Sequence, residues 1–357
     1  MADRVTIQDI ADALGVSRNT VSKAINNTGV LADATKEKVL QKAVEMGYKQ
    51  FSYIDISNID LNKSVRTQTE NITKGEIALL TTNFPGGSHF ASPMLDKFQK
   101  EIAQLGYSLT MHRVTSEDIK NMRFPISYNK ERTVGILGIE MFDYQYDKMV
   151  CDSGIPTLFV DAPAFTKRPL NSDLLIMNNQ DGIYSFVSEM FRRGKKNIGF
   201  IGQYMHCRSF FERYISYKNA MYLLNLPCPE KYCITGNKEG IEIPSAIDYG
   251  EYLFECLQKM DRLPDVFICA NDFVAVDAIQ VFKQLGISVP HDVYLCGFDD
   301  SPESKVMTPS LTTIHIHSQI MGVCATQLLL SRIEEPSLHY RTVYTETDLI
   351  YRESTED

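Results

Sequence analysis

Residues 5–26 read VTIQDIADALGVSRNTVSKAIN, and the spacing in this stretch predicts two helices joined by a tight turn. Helices so closely joined nearly touch where they cross, and Ala11 supplies the small side chain that the crossing needs. Gly15 lies four residues later, where the turn requires a residue that tolerates positive φ. Val21 is expected to face the first helix. The predicted core is completed by Ile10, Leu14, Val16 and Ala24.

Both predicted helices carry start signals and an outward polar face. Thr6 with Asp9 is typical of a capping box, and Ser17 opens the second helix. Arginine and lysine side chains suit guanine, and asparagine pairs twice with adenine. A second helix of this kind fits the DNA major groove, whereas the alternative is an ordinary helical hairpin. The expected DNA-binding residues are Thr6, Ser17, Arg18, Asn19, Thr20, Ser22, Lys23 and Asn26.

The charge of the chain is unevenly distributed. Residues 1–50 carry seven Lys or Arg and six Asp or Glu, a balance of +1, so the rest of the chain carries a charge of −10. An acidic body repels phosphate, which restricts DNA contacts to the N-terminal head. The length of 357 residues is sufficient for a small head followed by a two-lobed body.

The eight cysteines lie at positions 151, 207, 228, 233, 256, 269, 296 and 324. None forms a C-x-x-C pair, so the sequence gives no support for zinc binding or dithiol chemistry. Cys269 and Cys296 lie in apolar runs, where buried reduced thiols are expected. The N-terminus lacks a signal peptide, and no apolar run reaches the length of a membrane span. We therefore expect a cytoplasmic protein that contacts no membrane and needs no cofactor or metal.

A third helix and a linker follow the first two helices. The third helix is predicted from about Ala34 to Met46, with Gly47 as its stop and Asp33 as a candidate cap. The head is therefore expected to span residues 1–48. Residues 49–75 are polar and have no sustained period, which predicts a linker that is either a flexible tether or contains a short helix.

The remaining residues, 76–357, alternate short apolar runs with helical stretches, which predicts a parallel α/β sheet. The predicted strands are 77–83, 108–114, 134–139, 157–161, 197–202, 232–236, 266–271 and 293–300. Eight such strand–helix units are more than one sheet usually holds, so the pattern predicts two similar lobes. The expected lobes are 76–176 with 317–341, and 177–316 with 342–357.

Polar residues end several of these strands. Asp161 ends TLFVD, Asn271 ends VFICAN, and Asp299 with Asp300 ends VYLCGFDD, while Arg213 follows the strand that ends in GFIG. Ligands in such folds bind beyond the carboxyl ends of the strands. Carboxylates, an amide and a guanidinium converging there predict a site for a hydroxyl-rich small molecule. For each aspartate, the alternative is a cap for the following helix or turn.

Two further segments have weaker signals. His89 and Phe90 lie in the loop 86–93, where aromatic rings suit stacking on a sugar face, and a simple surface loop is the alternative. No Lys-Ser or Lys-Thr pair follows the glycines of this loop, which excludes a phosphate-binding loop. His315 and His317 form an H-x-H pattern that could hold a metal. On one face of a strand, however, two histidines are more often structural.

The motifs together resemble the lactose/galactose repressor (LacI/GalR) family of bacterial transcription factors. TIQDIADALGVSRNTVSKAIN is similar to the family's head, and ATKEKVLQKAVEMGY is similar to its third helix. The body resembles the family in NNQDGIYSFVSEMFRRGKKNIGFIG, in the serine–x3–arginine helix SFFERYISYKNAM, and in ANDFVAVDAIQVFKQLGISVPHDVYLCGFDD. The resemblance runs nearly from end to end.

The resemblance implies an α/β body with two lobes, of the periplasmic-binding-protein-like (type I) fold, preceded by an all-α helix-turn-helix head. Such a body forms a homodimer and clamps a small-molecule effector between its lobes, while Arg18, Asn19 and Lys23 read bases of operator DNA. From the resemblance, the strand ends and the aromatic loop together, the expected effector-binding residues are Phe90, Glu140, Asp161, Met177, Arg213, Asn271 and Asp299.

The linker departs from the family pattern. The usual Pro-Asn pair after Gly47 and Tyr48 is missing, as is the Ala-Arg-x-Leu motif of the hinge helix. Ile59 or Leu61 is a candidate minor-groove wedge, and a flexible tether is the equal alternative. Ala32 also stands where the family has a serine cap for the third helix.

We therefore predict a repressor whose operator affinity is set by a small-molecule effector, with a carbohydrate as the expected class. A transcriptional activator, or a global regulator that uses a protein corepressor, is the alternative. A sugar receptor without a DNA role is disfavoured by the helix-turn-helix pattern and by the missing signal peptide. No constellation of side chains supports an enzyme.

Overall fold

The structure is a computed structural model that describes residues 6–25, 35, 38, 39, 42, 43, 46, 74–83, 90–237 and 246–356. The chain divides into two compact units, residues 1–71 and residues 72–357. The second unit begins close to the predicted start of the body at residue 76. The predictions for Asn26, Asp33, the linker and His89 lie outside the described residues.

The described part of the head contains α1 (Ile7–Leu14) and α2 (Arg18–Ile25). α1 begins at the predicted capping box, in which the Thr6 N–H donates to the Asp9 carboxylate (2.7 Å) and the Asp9 N–H donates to the Thr6 hydroxyl (3.3 Å). It ends at Gly15, whose φ of +63° is the left-handed conformation that the turn requires. The Gly15 N–H donates to the carbonyl of Ala11.

A small apolar core stabilises the head. Ala11 and Val21 are fully buried, as predicted, and Leu14 packs against them. The described residues of the predicted third helix, 35, 38, 39, 42 and 43, are helical. The fully buried residues of this core also include Ile10, Ala24 and Ala43, with Val39 almost fully buried. The core therefore joins all three helices.

The described residues of the body form twelve strands and nine further helices. The strands are β1 (Gly75–Thr81), β2 (Tyr107–Arg113), β3 (Thr133–Ile139), β4 (Thr157–Val160), β5 (Asp173–Met177), β6 (Ile198–Ile201), β7 (Cys233–Ile234), β8 (Val266–Cys269), β9 (Tyr294–Cys296), β10 (Thr313–Ile316), β11 (Thr342–Thr345) and β12 (Thr347–Ile350). The helices are α3 (Ala91–Gln104), α4 (Ser116–Lys120), α5 (Tyr144–Asp152), α6 (Asp181–Arg192), α7 (Arg208–Leu223), α8 (Ala246–Gln258), α9 (Asp272–Leu285), α10 (Pro302–Val306) and α11 (Ser318–Glu334).

The strands form two parallel sheets and a small ribbon. The first sheet has the order β11-β5-β4-β3-β1-β2, and the second has the order β7-β6-β8-β9. β10 and β12 pair antiparallel. Parallel sheets are covered on both faces, which explains why strands such as β4, β6 and β8 are buried at every residue. The prediction of a parallel α/β fold is confirmed, and all eight predicted strands are present.

The predicted lobe boundary at residue 342 is wrong. Residues 342–345 were expected in the second lobe, but β11 pairs parallel with β5 in the first sheet, with Thr342 opposite Leu174. Buried Asp173 explains this position, because it forms ion pairs with Arg341 of the segment before β11 (2.7 Å) and with Arg332 of α11 (2.9 Å). The network ties α11 and β11 to the first sheet.

The core of the body is continuous between the lobes. The largest apolar cluster includes Ile77 and Leu137 from the first sheet and Phe200 and Ile268 from the second. α11 packs closely on α3, since a Cβ added at Gly322 would lie 2.6 Å from a backbone carbonyl of α3. No helix among the described residues is long and apolar enough to cross a membrane.

Candidate functional site

The exposed face of α2 carries the residues predicted to read bases. Arg18, Asn19 and Lys23 are all exposed, while Val21 and Ala24 of the same helix are buried. The helix therefore presents cationic and amide groups on one side and its apolar groups to the head core. This arrangement matches the requirements of a helix that enters a major groove.

The other candidate DNA-binding residues include several caps. Ser17 accepts a hydrogen bond from the Thr20 N–H (3.0 Å), and the Ser17 and Thr20 hydroxyls lie 2.8 Å apart. Thr6 is engaged in the capping box of α1, and Ser22 is half-buried. Asn26 lies outside the described residues. Thr6, Ser17 and Thr20 therefore also stabilise the helix starts, which is the structural alternative for such residues.

A cleft of about 1110 Å³ lies at the carboxyl ends of strands from both sheets of the body. This is the position at which open α/β sheets bind ligands. The cleft is lined by every residue predicted to bind the effector: Phe90, Glu140, Asp161, Met177, Arg213, Asn271 and Asp299. The topology therefore brings these residues together, although they span more than 200 positions of the sequence.

Three acidic residues of the cleft have a strained backbone. Glu140 follows β3 with φ +55°, Asp161 follows β4 with φ +65°, and Asp299 lies just beyond β9 with φ +116°. Residues other than glycine seldom adopt positive φ, and such strain concentrates at ligand sites where the surrounding fold holds it in place.

Arg213 is the central cation of the cleft. Its Nε donates to Asn179 (2.9 Å), and Nη1 donates to the carbonyl of Ala270 (2.7 Å). Nη1 also lies 3.6 Å from a carboxylate oxygen of Asp299, and the guanidinium carbon lies 3.5 Å from the centre of the Phe298 ring. Arg213 is only 2% exposed, so these contacts hold one rotamer of a long side chain in place.

Burial governs the protonation of the two aspartates nearest to this arginine. Burial raises the pKa of Asp299 to about 8, and the Arg213 charge offsets only part of that increase. Burial also raises the pKa of Asp161, although its carboxylate accepts from the N–H groups of Ala162 (2.8 Å) and Ser209 (3.1 Å). A neutral carboxyl both donates and accepts hydrogen bonds, which suits ligand hydroxyl groups.

Two polar residues at strand ends, Asn271 and Asp300, have structural roles besides or instead of lining the cleft. Asn271 lines the cleft, but its side-chain oxygen also caps α9 by accepting from the Val274 N–H (3.0 Å). Asp300 does not line the cleft; it contacts Lys305 (3.0 Å), His315 (3.0 Å) and Arg352. Burial raises the pKa of Asp300, but the hydrogen bonds from these groups outweigh it and hold the pKa at about 2.

An aromatic wall, which the sequence did not predict, lines part of the cleft. The rings of Phe142 and His206 lie 5.2 Å apart, and those of His206 and Phe210 also lie 5.2 Å apart. Phe273 lines the same cleft. Phe142 and His206 follow strand ends, so the rule that found the aspartates would also have found them. Phe210 precedes Arg213 by one turn of α7.

The H-x-H pattern has a structural role. His315 contacts Asp300, and His317 Nε2 lies 3.2 Å from a carboxylate oxygen of Asp348 on the paired strand β12. The two rings lie 4.9 Å apart. The described residues contain no group of three or more side chains suited to hold a metal ion.

Comparisons with known proteins agree with both parts of the molecule. Residues 6–50 match the family model of bacterial regulatory proteins, lacI family, and residues 187–355 match that of a periplasmic binding protein-like domain. The chain combines a LacI-family helix-turn-helix domain with a periplasmic-binding-protein-like domain. This combination is that of a DNA-binding transcriptional repressor, and the relatives are regulators rather than enzymes.

Similar proteins cover nearly the whole chain. The HTH-type transcriptional repressor PurR of Actinobacillus pleuropneumoniae serotype 3 is 28% identical over 356 residues, which cover 99% of this chain and 98% of the relative. PurR of Vibrio parahaemolyticus is 25% identical over 353 residues, covering 98% of each chain.

Solved structures show the same fold. The CelR regulator in complex with cellobiose has a TM-score of 0.66 at 20% identity, with 98% of this chain and 100% of CelR covered. The lac repressor dimer bound to operator and the anti-inducer ONPF has a TM-score of 0.63 at 20% identity, with 99% of each chain covered.

Proposed function

We propose that this LacI-family repressor binds a carbohydrate in the cleft of its body and that this binding changes its affinity for operator DNA. The observation that carries the proposal is the convergence of Asp161, Asp299 and Arg213 beside aromatic rings in one cleft. Vicinal sugar hydroxyls pair with carboxyl and guanidinium groups, and the apolar face of a sugar ring packs on an aromatic ring. In this proposal the strained aspartates hold hydroxyl groups and Arg213 orients the ligand.

The remaining predicted residues have complementary roles in this proposal. Glu140 and Asn271 would bind outer hydroxyl groups, and Phe90 would pack on the ring. Met177 would shape the floor, because its sulfur already accepts a hydrogen bond from Ser209 (3.1 Å). A volume of about 1110 Å³ has room for more than one sugar ring. The similar CelR structure holds cellobiose, and a LacI-family regulator of Enterococcus faecium holds ribose, which favours the same ligand class here.

A planar nucleobase is the second candidate. Two observations favour it: the wall formed by Phe142, His206 and Phe210, and the PurR repressors among the relatives. A base would stack on this wall and pair its edge with Asp299 and Arg213. The two candidates differ in what they need, because a base requires the aromatic faces and a sugar requires several carboxyl and amide groups.

In this proposal the head binds the operator DNA. Arg18 and Asn19 would pair with base edges in the major groove, and Lys23 would contribute phosphate or guanine contacts. A homodimer would place two such heads on two half-sites of an operator. Binding to chromosomal DNA agrees with a cytoplasmic location.

Calorimetric titration with two ligand panels tests the effector class. The sugar panel contains cellobiose, ribose and glucose, and the base panel contains adenine, guanine and hypoxanthine. We expect binding from the sugar panel only. At a ligand concentration of one hundred times the dissociation constant, the bound sugar should raise the free energy of unfolding of wild type by about 2.7 kcal/mol. Asp161→Asn should weaken sugar binding, because one carboxyl oxygen that accepts hydrogen bonds from ligand hydroxyls becomes an amide group that only donates. Binding of bases alone would overturn the carbohydrate proposal, and binding that is unchanged in Asp161→Asn would overturn the site.

A further inference from the structure

Cys228 and Cys233 converge on one hydroxyl group outside the effector cleft. The Cys228 sulfur lies 3.3 Å and the Cys233 sulfur 3.9 Å from the Tyr217 oxygen, to which both thiols donate. The Tyr217 hydroxyl in turn donates to the carbonyl of Ile198 on β6 (2.7 Å). The absence of C-x-x-C spacing in the chain gave no support for dithiol chemistry. The fold instead brings together two cysteines with four residues between them.

The surroundings of the pair favour reaction at one sulfur. The neighbouring Cys233, Tyr217 and Lys218 lower the pKa of the Cys228 thiol to about 6, with Cys233 as the largest cause. The Cys228 thiol raises the pKa of Cys233. Both cysteines are partly exposed, so a small oxidant has access to them. The Lys218 ammonium also pairs with Glu230 in the turn between the two cysteines.

We propose that Cys228 and Cys233 form a peroxide-sensitive pair that closes to an intrachain disulfide. In the first step the Cys228 thiolate attacks a hydroperoxide, an S–O bond forms as the O–O bond breaks, and an alkoxide or hydroxide leaves. In the second step the Cys233 sulfur attacks the sulfenic acid, an S–S bond forms as the S–O bond breaks, and water leaves with the Cys233 proton. The two sulfurs are oxidised and the peroxide is reduced.

The pair contacts the helix that carries Arg213, the arginine proposed to bind the effector. Tyr217 follows Arg213 by four residues on α7 and so lies on the same face of the helix. The disulfide would remove both S–H donors from Tyr217, while the bond from Tyr217 to Ile198 would remain. Oxidation therefore changes hydrogen bonding on α7 one turn after Arg213. The thiol chemistry itself does not depend on the proposed effector.

The reactivity of the Cys228 thiol is tested by alkylating the native full-length chain with iodoacetamide at a series of pH values. At pH 7, a thiol with a pKa of about 6 has about 30-fold more thiolate than an unperturbed one, and its lower nucleophilicity offsets about tenfold of this. We therefore expect Cys228 to react about two- to threefold faster than an unperturbed thiol, with a half-maximal rate near pH 6. Cys256 and Cys324 are suitable internal references, since burial raises both of their pKa values. A Cys228 midpoint near pH 8.5 would overturn the proposal.

Peptide mapping after hydrogen peroxide treatment tests the disulfide. Trypsin cuts at Lys231, between the two cysteines, so only a disulfide keeps the Cys228 and Cys233 peptides together. We expect the linked peptides in wild type and in the matched control Cys324→Ser. In Cys233→Ser we expect a persistent sulfenic acid at Cys228, which dimedone traps. Serine keeps a donor for Tyr217, and circular dichroism checks the fold of each variant.

Two outcomes of the peptide mapping would contradict the proposal that Cys228 and Cys233 form a disulfide. One is that both peptides stay reduced while other cysteines are oxidised. The other is that Cys228 joins a different cysteine or a second chain. Either result would show that the two sulfurs do not react with each other in the folded protein.

Discussion

Asp299→Asn should reduce the pH dependence of stability. Burial raises the pKa of Asp299 to about 8 in the folded body, whereas an unfolded aspartate titrates near its ordinary value of about 4. Between these two pH values the unfolded chain has lost a proton that the folded body keeps, so unfolding releases one proton. The free energy of unfolding of wild type therefore falls as pH rises, by at most about 1.4 kcal/mol per pH unit from this group.

The change is confined to a defined window. Below about pH 4 both states hold the proton, and above about pH 8 both have lost it, so the contribution is flat outside this range. Asparagine cannot ionise and has nearly the same shape. Its variant should therefore lose this slope and gain stability relative to wild type as pH rises, up to about 5 kcal/mol in total.

Urea unfolding followed by circular dichroism between about pH 5 and pH 8 measures this slope. Circular dichroism is preferred because the chain contains no tryptophan. Parallel stability curves for wild type and Asp299→Asn across the window would refute the assignment of a raised pKa to Asp299. The same variant should weaken effector binding, since Asp299 lines the cleft.

Three further predictions follow from other sites. Asp147→Asn should stabilise the protein by an amount that grows from about pH 4 to about pH 8 and then stays constant, without changing effector affinity. Burial raises the pKa of Asp147 to about 8, and neither of its carboxylate oxygens has a hydrogen-bond partner among the described residues. Urea unfolding measures the stability and calorimetry the effector affinity. Arg213→Ala should weaken effector binding at least tenfold in calorimetry, since a charged hydrogen bond contributes about 1.5–3 kcal/mol. Asn19→Ala should relax preference at one base pair, whereas Lys23→Ala should reduce the salt dependence of DNA binding; a selection from random DNA and a salt titration separate these effects, and uniform losses in the selection would contradict base reading by Asn19.

The head was predictable because its spacing constrains its packing. Ala11, Gly15 and Val21 have the burial or backbone conformation that the sequence pattern required, and the capping box of Thr6 and Asp9 is present. These features depend on contacts within about fifteen residues, so local periodicity is sufficient to find them.

The body was predictable in its strands but not in all of their pairings. β11 carries only four residues and a polar pattern, and its place beside β5 depends on the buried ion pairs of Asp173, which join residues far apart in the sequence. Likewise, the distinction between Asp299 and Asp300 depends on partners in β10 and near the C-terminus. The contact between Cys228 and Cys233 depends on Tyr217 of another element. Such pairings arise only after the chain has folded.

The most direct test of the account is an operator titration with and without effector. A fluorescently labelled operator, selected from random DNA, is titrated with wild type and with Arg213→Ala, and anisotropy is recorded. We predict that effector changes the operator affinity of wild type by about 5- to 150-fold, the usual range of allosteric coupling. Arg213→Ala should bind the operator as wild type does without effector, and should not respond to it. An operator affinity of wild type that effector leaves unchanged, or a full response in Arg213→Ala, would contradict the account.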